Sequence, residues 1–478
     1  MVSTDVEQDL LSTGIGGLDH ILGGGLPRRT IVLVQGASGA GKTTAALQFL
    51  LAGAAAAEKC LLLSVAQAPH EIETLAQSHD LSLDGVALRH LDLAEGSDQY
   101  SVNTNEAQLD GLIEQTLAAV DEIKPDRLVF DSLLELRLLA PDEIVYRRTI
   151  LNLKLSLTQR EITAYIIDHM PSDLIDRQVE GLVHGVIGLE IKTPQMGTSH
   201  RRLRVKKFRA HSFVDGYHDY KILSGGLEVY PRVIPRELPP MQIGPTQATD
   251  IVELDRMLGG GLDAGATTLI SGQSGTGKST LATLFASSAA RDGHNAGLFL
   301  FEERPEVYRD RSDGVGLGVT ELERAGRLRL HHFDPPEITP GEFSNAVLSR
   351  VEQDNLELVV IDSLTGYVSS LPDAIDVVGQ IQALLQFLSR SGLVVILVSS
   401  QHGLLGEEPR SDLDVSYLAD SVILLRHAPS RSEIRRSIAV MKKRHTNHAR
   451  SINSFVIAPG QVAVEPLSPE GLDSIGAN

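Results

Sequence analysis

Two octapeptides in this 478-residue chain have the composition of a phosphate cradle. Gly36-Ala37-Ser38-Gly39-Ala40-Gly41-Lys42-Thr43 and Gly272-Gln273-Ser274-Gly275-Thr276-Gly277-Lys278-Ser279 both read GxxxxGK[ST], followed by Thr44 and Thr280. Glycines let the backbone curl around phosphate oxygens, so that main-chain N–H groups line the curve. Lys42 and Lys278 bring charge to the β- and γ-phosphates, and the hydroxyls of Thr43 and Ser279 offer a ligand to Mg²⁺. Each octapeptide follows an apolar run and precedes a helical pattern, which aims a helix N-terminus at the phosphates; a bare glycine-rich turn has no need of that context.

A phosphate loop needs a carboxylate to hold the metal through its water. Asp131 and Asp362, each ending an apolar run in VFDSL and VIDSL, fit that need. Alone, a strand-end aspartate is more often a helix cap; paired with a phosphate loop in the same half, the metal role is the better reading. The halves then diverge. Phe299-Leu300-Phe301 runs into Glu302-Glu303, whereas the matching stretch Leu63-Ser64-Val65 runs into Ala66-Gln67. A carboxylate there can take the proton of an attacking water or hydroxyl. Alanine cannot, and glutamine is a poor base. Hydrolysis is therefore expected mainly from the second half. The plain alternative for Glu302 and Glu303 is a solvated pair at a helix start.

The elements that must position these residues repeat. Leu18-Asp19-His20-Ile21-Leu22-Gly23-Gly24-Gly25-Leu26 returns as Leu254-Asp255-Arg256-Met257-Leu258-Gly259-Gly260-Gly261-Leu262, and Gly17–Thr44 matches Glu253–Thr280 at 14 of 28 positions without a gap. Lys207-Phe208-Arg209 returns as Lys442-Lys443-Arg444. Four features in one order at a nearly constant offset mean tandem duplication. A proline-rich connector between Tyr230 and Thr249 places the domains at 1–235 and 236–478. In each half, apolar runs such as Ile31–Val34, Arg127–Phe130, Thr268–Ile270 and Leu358–Ile361 alternate with helical stretches. This predicts an α/β fold, a mainly parallel sheet flanked by helices. Each half should close with a β-hairpin, Val186–Ile191 with Arg202–Phe208 and Val422–Arg426 with Ile434–Met441. The tail after Glu465 reads as frayed.

Charge and composition bound the function. Sixty-two acidic residues against 43 basic ones leave a net charge of −19, and there is no tryptophan, so nucleic acid is not an expected partner. One cysteine, Cys60, forms no internal disulfide and reads as a core residue. No apolar run has membrane-spanning length and the N-terminus has no secretory pattern, so a cytoplasmic location is expected. His169, His331, His332 and His402 have no zinc-like spacing.

Thr13-Gly14-Ile15-Gly16-Gly17-Leu18-Asp19, the GGGL repeats, the tandem phosphate loops, Phe301-Glu302-Glu303 and the terminal Lys/Arg motifs together resemble the KaiC family of RecA-like ATPases, over essentially the whole chain. The resemblance implies two tandem RecA-like P-loop domains and six copies in a double ring, with ATP and Mg²⁺ at subunit interfaces. It implies Glu302 and Glu303 as general base, and Lys207, Arg209, Lys442 and Arg444 as cations reaching a neighbour's nucleotide. It also implies serine autokinase activity in the second domain, used in signalling or timing, and small regulatory adaptor proteins as partners. The family's phosphorylated pair falls at Ser416-Tyr417, with tyrosine in place of threonine, and Ser411 aligns with a nearby hydroxyl. By position, Gln401 is the γ-phosphate sensor. Two competing readings are a DNA recombinase or helicase, opposed by the acidity and by Gly406-Glu407-Glu408, and a non-catalytic ATP-dependent scaffold.

Overall fold

Short runs rich in valine, isoleucine and leucine, bounded by polar turns, become strands buried on both faces; Ile31–Gly36, Cys60–Ser64 and Thr267–Gly272 are buried throughout. The computed structural model describes residues 9–92, 104–169, 176–193, 198–234, 244–369, 374–401, 416–430 and 433–466. The chain divides into two compact units, Met1–Arg232 and Val233–Asn478.

In the first unit nine strands form one sheet, in the order Gly226–Tyr230, His218–Leu223, His200–Phe208, Gly185–Lys192, Ile31–Gly36, Thr163–Asp168, Arg127–Asp131, Cys60–Ser64, Val86–His90. From Gly185–Lys192 to Val86–His90 neighbouring strands are parallel. The other three are joined antiparallel. Helix Lys42–Ala55 covers one face, its Phe49 ring stacked on Tyr165 at 4.2 Å. Helix Glu143–Gln159 packs Tyr146, Ile150, Leu153 and Leu157 in the core of the other face. Followed from the opposite edge, the second unit repeats the order: Leu328–His332, Ala296–Leu300, Leu358–Asp362, Val394–Ser400, Thr267–Gly272, Ser421–Ser430, Glu433–Lys443, Ile452–Ala458, Gln461–Pro466. These are two RecA-like α/β sheets, as the alternation of runs and helices predicts.

The terminal hairpins form, but two features differ from expectation. The first strand of each pair also joins the phosphate-loop strand in parallel, which fuses the hairpin to the sheet. A further antiparallel pair then extends each sheet, His218–Leu223 with Gly226–Tyr230 and Ile452–Ala458 with Gln461–Pro466. Residues 467–478 lie outside the described residues. Cys60 is buried, its thiol pushed up to about 11 chiefly by burial. Among the described residues no helix is long and apolar enough to cross a membrane.

The GGGL segments prove to be scaffolding. Asp19 Oδ1 accepts from the backbone N–H and hydroxyl of Thr13 at 2.7 and 2.6 Å. Asp255 Oδ1 does the same for Thr249, at 2.9 Å for each. A Cβ on Gly17 would stand 1.9 Å from the Val229 carbonyl oxygen, so this glycine lets the last strand of the sheet close over the N-terminal helix.

Candidate nucleotide sites

Each phosphate loop leaves the end of a central strand and turns into a helix through glycines at positive φ: Gly39 at 76° and Gly41 at 86°, Gly275 at 78° and Gly277 at 94°. A side chain at Gly41 would meet Ile222 at 2.8 Å, and one at Gly277 would meet Ile457 at 2.5 Å. Conformation and space both demand glycine there. In the first unit Lys42 Nζ donates to the carbonyls of Gly36 and Ala37 at 2.8 and 3.0 Å, lying along the loop it serves. Lys278 Nζ donates to the Gln273 carbonyl at 2.9 Å. Burial lowers the pKa of both lysines, while Asp131 and Asp362 respectively oppose the shift.

In each unit the loop hydroxyl meets the strand-end carboxylate. Thr43 Oγ1 donates to Asp131 Oδ2 at 3.0 Å, and Ser279 hydrogen-bonds to Asp362. Burial pushes the Asp131 carboxyl upward, with the Thr43 bond and the Lys42 charge opposing it. Asp362 is pushed up to about 6, by burial first and then by the charge of Glu302, against the Ser279 bond. A buried carboxylate destabilised in this way, beside an aliphatic hydroxyl, is an all-oxygen donor set suited to Mg²⁺.

Geometry separates the two glutamates that sequence treats alike. Glu302 accepts a short hydrogen bond from the Ser363 hydroxyl, one residue past Asp362, and so faces the loop and metal residues. Glu303 is held by Arg311, whose Nη2 and Nε donate to it at 2.9 and 3.1 Å. Arg311 also reaches Thr280 Oγ1 at 3.2 Å and lies over the Tyr308 ring. Sequence reading missed Arg311; the available signal was an arginine two turns into the helix that follows the acids. It also missed Gly366. A Cβ there would stand 2.3 Å from Glu302 Oε1. Because that atom ends a flexible side chain, Gly366→Ala should cost less than about 1 kcal/mol of stability. It should still displace the carboxylate and lower second-site turnover about 10–10²-fold. Phosphate release with the first site silenced by Lys42→Ala, at a concentration where light scattering still finds the assembly, alongside a melting curve, checks both halves.

The terminal cations lie away from their own phosphate loops. Lys207 Nζ donates to the carbonyls of Glu180 and Val183 at 2.7 and 3.1 Å, and Arg209 to that of Gly181 at 2.6 Å. Lys442 Nζ donates to the Ala419 carbonyl at 2.7 Å, and Arg444 to Asp420 Oδ1 at 3.3 Å. Burial lowers the pKa of Lys207 and Lys442, and in each case the adjacent arginine adds to the shift. Lys443, between them in sequence, is wholly buried against Asp263 at 3.2 Å. Gln401 follows the strand Val394–Ser400, and its N–H donates to the Gly272 carbonyl at 3.0 Å, beside the phosphate loop. Ser416 begins a single 3₁₀ turn, Ser416–Leu418, with the Tyr417 side chain exposed beside it. Ser411, His402 and Gly406-Glu407-Glu408 lie outside the described residues.

Strand, glycine loop, helix, hydroxyl and carboxylate, set twice on sheets of the same strand order, define a tandem P-loop nucleotide-binding protein of the RecA-like class. A family model described as "ATPase: KaiC" matches residues 11–234 and again 247–468. The chain belongs to that family, as its motifs imply. It is 26% identical over 472 residues to the circadian clock oscillator protein KaiC of Thermostichus vulcanus, covering 95% of this chain and 88% of the relative. The protein of the same name from Prochlorococcus marinus is 25% identical over 474 residues, covering 95% and 92%. Circadian clock protein KaiC3 of Synechocystis sp. is 26% identical over 460 residues, covering 94% and 90%.

Proposed function

We propose that this KaiC-family ATPase works as a homohexameric ring that hydrolyses MgATP and transfers phosphate to its own Ser416, in a signalling or timing role. The observation carrying this reading is Glu302, set against the hydroxyl that follows Asp362 and at the end of a strand paired with the Asp362 strand. In the second domain, 236–478, the amides of Gly272–Gly277 and Lys278 hold the phosphates. Ser279 and Asp362 hold Mg²⁺, which supplies charge neutralisation to the phosphoryl oxygens. Glu302 takes the proton of the attacking oxygen, from water in hydrolysis or from a serine hydroxyl in autophosphorylation. The first domain, 1–235, binds MgATP through Gly36–Gly41, Lys42, Thr43 and Asp131. The relatives named as clock proteins support the timing role.

Lys207 with Arg209, and Lys442 with Arg444, serve a neighbouring subunit's nucleotide in this reading. What supports it is that each lysine has its charge disfavoured, by burial first and then by the adjacent arginine, a cost that a further anion relieves. Nucleotide bound only in the assembled form stabilises the assembly by mass action. Lys42→Ala should therefore shift the hexamer toward smaller species in light scattering. An unchanged mass in the variant and without nucleotide contradicts this.

Ser416 is the preferred acceptor over Tyr417 on reach. A tyrosine oxygen stands about 6 Å from its Cα and a serine oxygen about 2.4 Å, so an in-line site shaped for one does not fit the other. Intact-mass analysis after incubation with MgATP tests the self-kinase role: a gain of one phosphate that is lost in Ser416→Ala is expected. No incorporation, or unchanged incorporation in the variant, leaves an ATPase without it.

A further inference from the structure

Both units hold a carboxylate against the same serine hydroxyl, but they draw it from different places in the chain. In the second unit Ser363, directly after Asp362, donates to Glu302, which follows the strand Ala296–Leu300. In the first unit Ser132, directly after Asp131, donates at 2.8 Å to Glu135, which lies in the first turn of helix Leu133–Leu139. Counted from the two aspartates, Glu135 corresponds to Gly366; counted along the neighbouring strands, Glu302 corresponds to Ala66. Each unit thus has one carboxylate and one small residue, exchanged between the two positions. The exchange has a steric reason: a Cβ at Gly366 would stand 2.3 Å from the Glu302 oxygen, so a side chain sent from the helix displaces the carboxylate sent from the strand.

We propose that Glu135 is the carboxylate that activates water at the first nucleotide site, in the role of Glu302 at the second, so that the first unit hydrolyses ATP despite Ala66-Gln67. The proposal rests on the reading of Gly36–Thr43 as an ATP site. In the step itself a water oxygen bonds to the γ-phosphorus and the bond from that phosphorus to the β,γ-bridging oxygen breaks. Glu135 accepts the water's proton and later returns it to solvent, and the products are ADP and phosphate.

Ser132-Leu133-Leu134-Glu135 also has the S-x-x-E spacing of a helix capping box. That motif needs the serine oxygen to accept from the N–H three residues on, and Ser132 makes no side-chain cap bond. The second unit does make it, since the Gly366 N–H donates to Ser363 Oγ at 3.2 Å. In the first unit the hydroxyl is instead turned to the carboxylate as donor.

The test uses the full chain with the second site silenced by Lys278→Ala. Adding Glu135→Gln should lower phosphate release by about 10²–10⁴. Affinity for a fluorescent ATP analogue should stay within about twofold, and the bound nucleotide, recovered by denaturation, should be ATP instead of ADP. Moving the carboxylate back, as Ala66→Glu with Glu135→Gly, should restore release. Turnover that survives Glu135→Gln overturns the proposal, as does a loss matched by an equal drop in melting temperature, the mark of a mere cap. If Lys278→Ala alone abolishes release while analogue binding persists, the proposal fails and the ATP-site reading stands. If neither the wild type nor Lys278→Ala binds the analogue, both fail.

Discussion

Glu302→Gln, in a chain whose first site is silenced by Lys42→Ala and which is kept at a concentration where light scattering still finds the ring, should lower phosphate release at saturating MgATP by about 10²–10⁴, the usual cost of losing a general base. Glu303→Gln in the same background should cost less than about tenfold. The two acids are adjacent, so the contrast comes wholly from tertiary partners. Glu302 shares the Ser363 hydroxyl beside Asp362. Glu303 spends its oxygens on Arg311, and a carboxylate in a two-point guanidinium pair is poorly placed to accept a proton. Equal losses from the two changes would mean that the pair with Arg311 opens when nucleotide binds.

The largest effect on stability is expected at Asp263. Its partner Lys443 has no exposed side-chain surface, and neither has Asp263 itself. The ammonium also donates to the carbonyls of Leu258 and Gly261, so it cannot turn toward water without breaking them. Asp263→Ala strands that charge and should cost about 3–5 kcal/mol, whereas replacing both partners by packed apolar residues is often neutral. The first unit supplies such a pair. Phe208 stands at the position of Lys443 and Pro27 at that of Asp263, and Phe208 lies in the core. Lys443→Phe with Asp263→Pro should recover most of the loss. Thermal unfolding of the second unit's transition, with hydrogen exchange along Glu433–Lys443, measures both variants. A single variant as stable as wild type would mean that water reaches Lys443.

Much of the site was legible because its chemistry is local. Eight consecutive residues make each loop, and Asp131 and Asp362 end apolar runs that could only be buried strands. What escaped depends on pairing across the fold. Glu303 meets Arg311 eight residues away, and Gly366 matters only because Glu302, 64 residues earlier in the chain, extends into its space. The last strand pair of each sheet also escaped: its apolar runs are short, such as Phe455–Ala458 within Ile452–Ala458, and only pairing with the hairpin makes them part of the sheet. Lys443 could have been read correctly. In a strand, alternate side chains take opposite faces, so cations Lys442 and Arg444 on one side place Lys443 on the other.

The most direct test of the account is steady-state phosphate release from MgATP, compared between the wild-type chain and the double variant Lys42→Ala, Lys278→Ala. Both loops are read as catalytic nucleotide sites through Lys42 with Asp131 and Lys278 with Asp362, so the wild type should turn over and the double variant should fall to the buffer blank. Wild-type release no faster than the blank, or release that persists in a folded double variant, would contradict it.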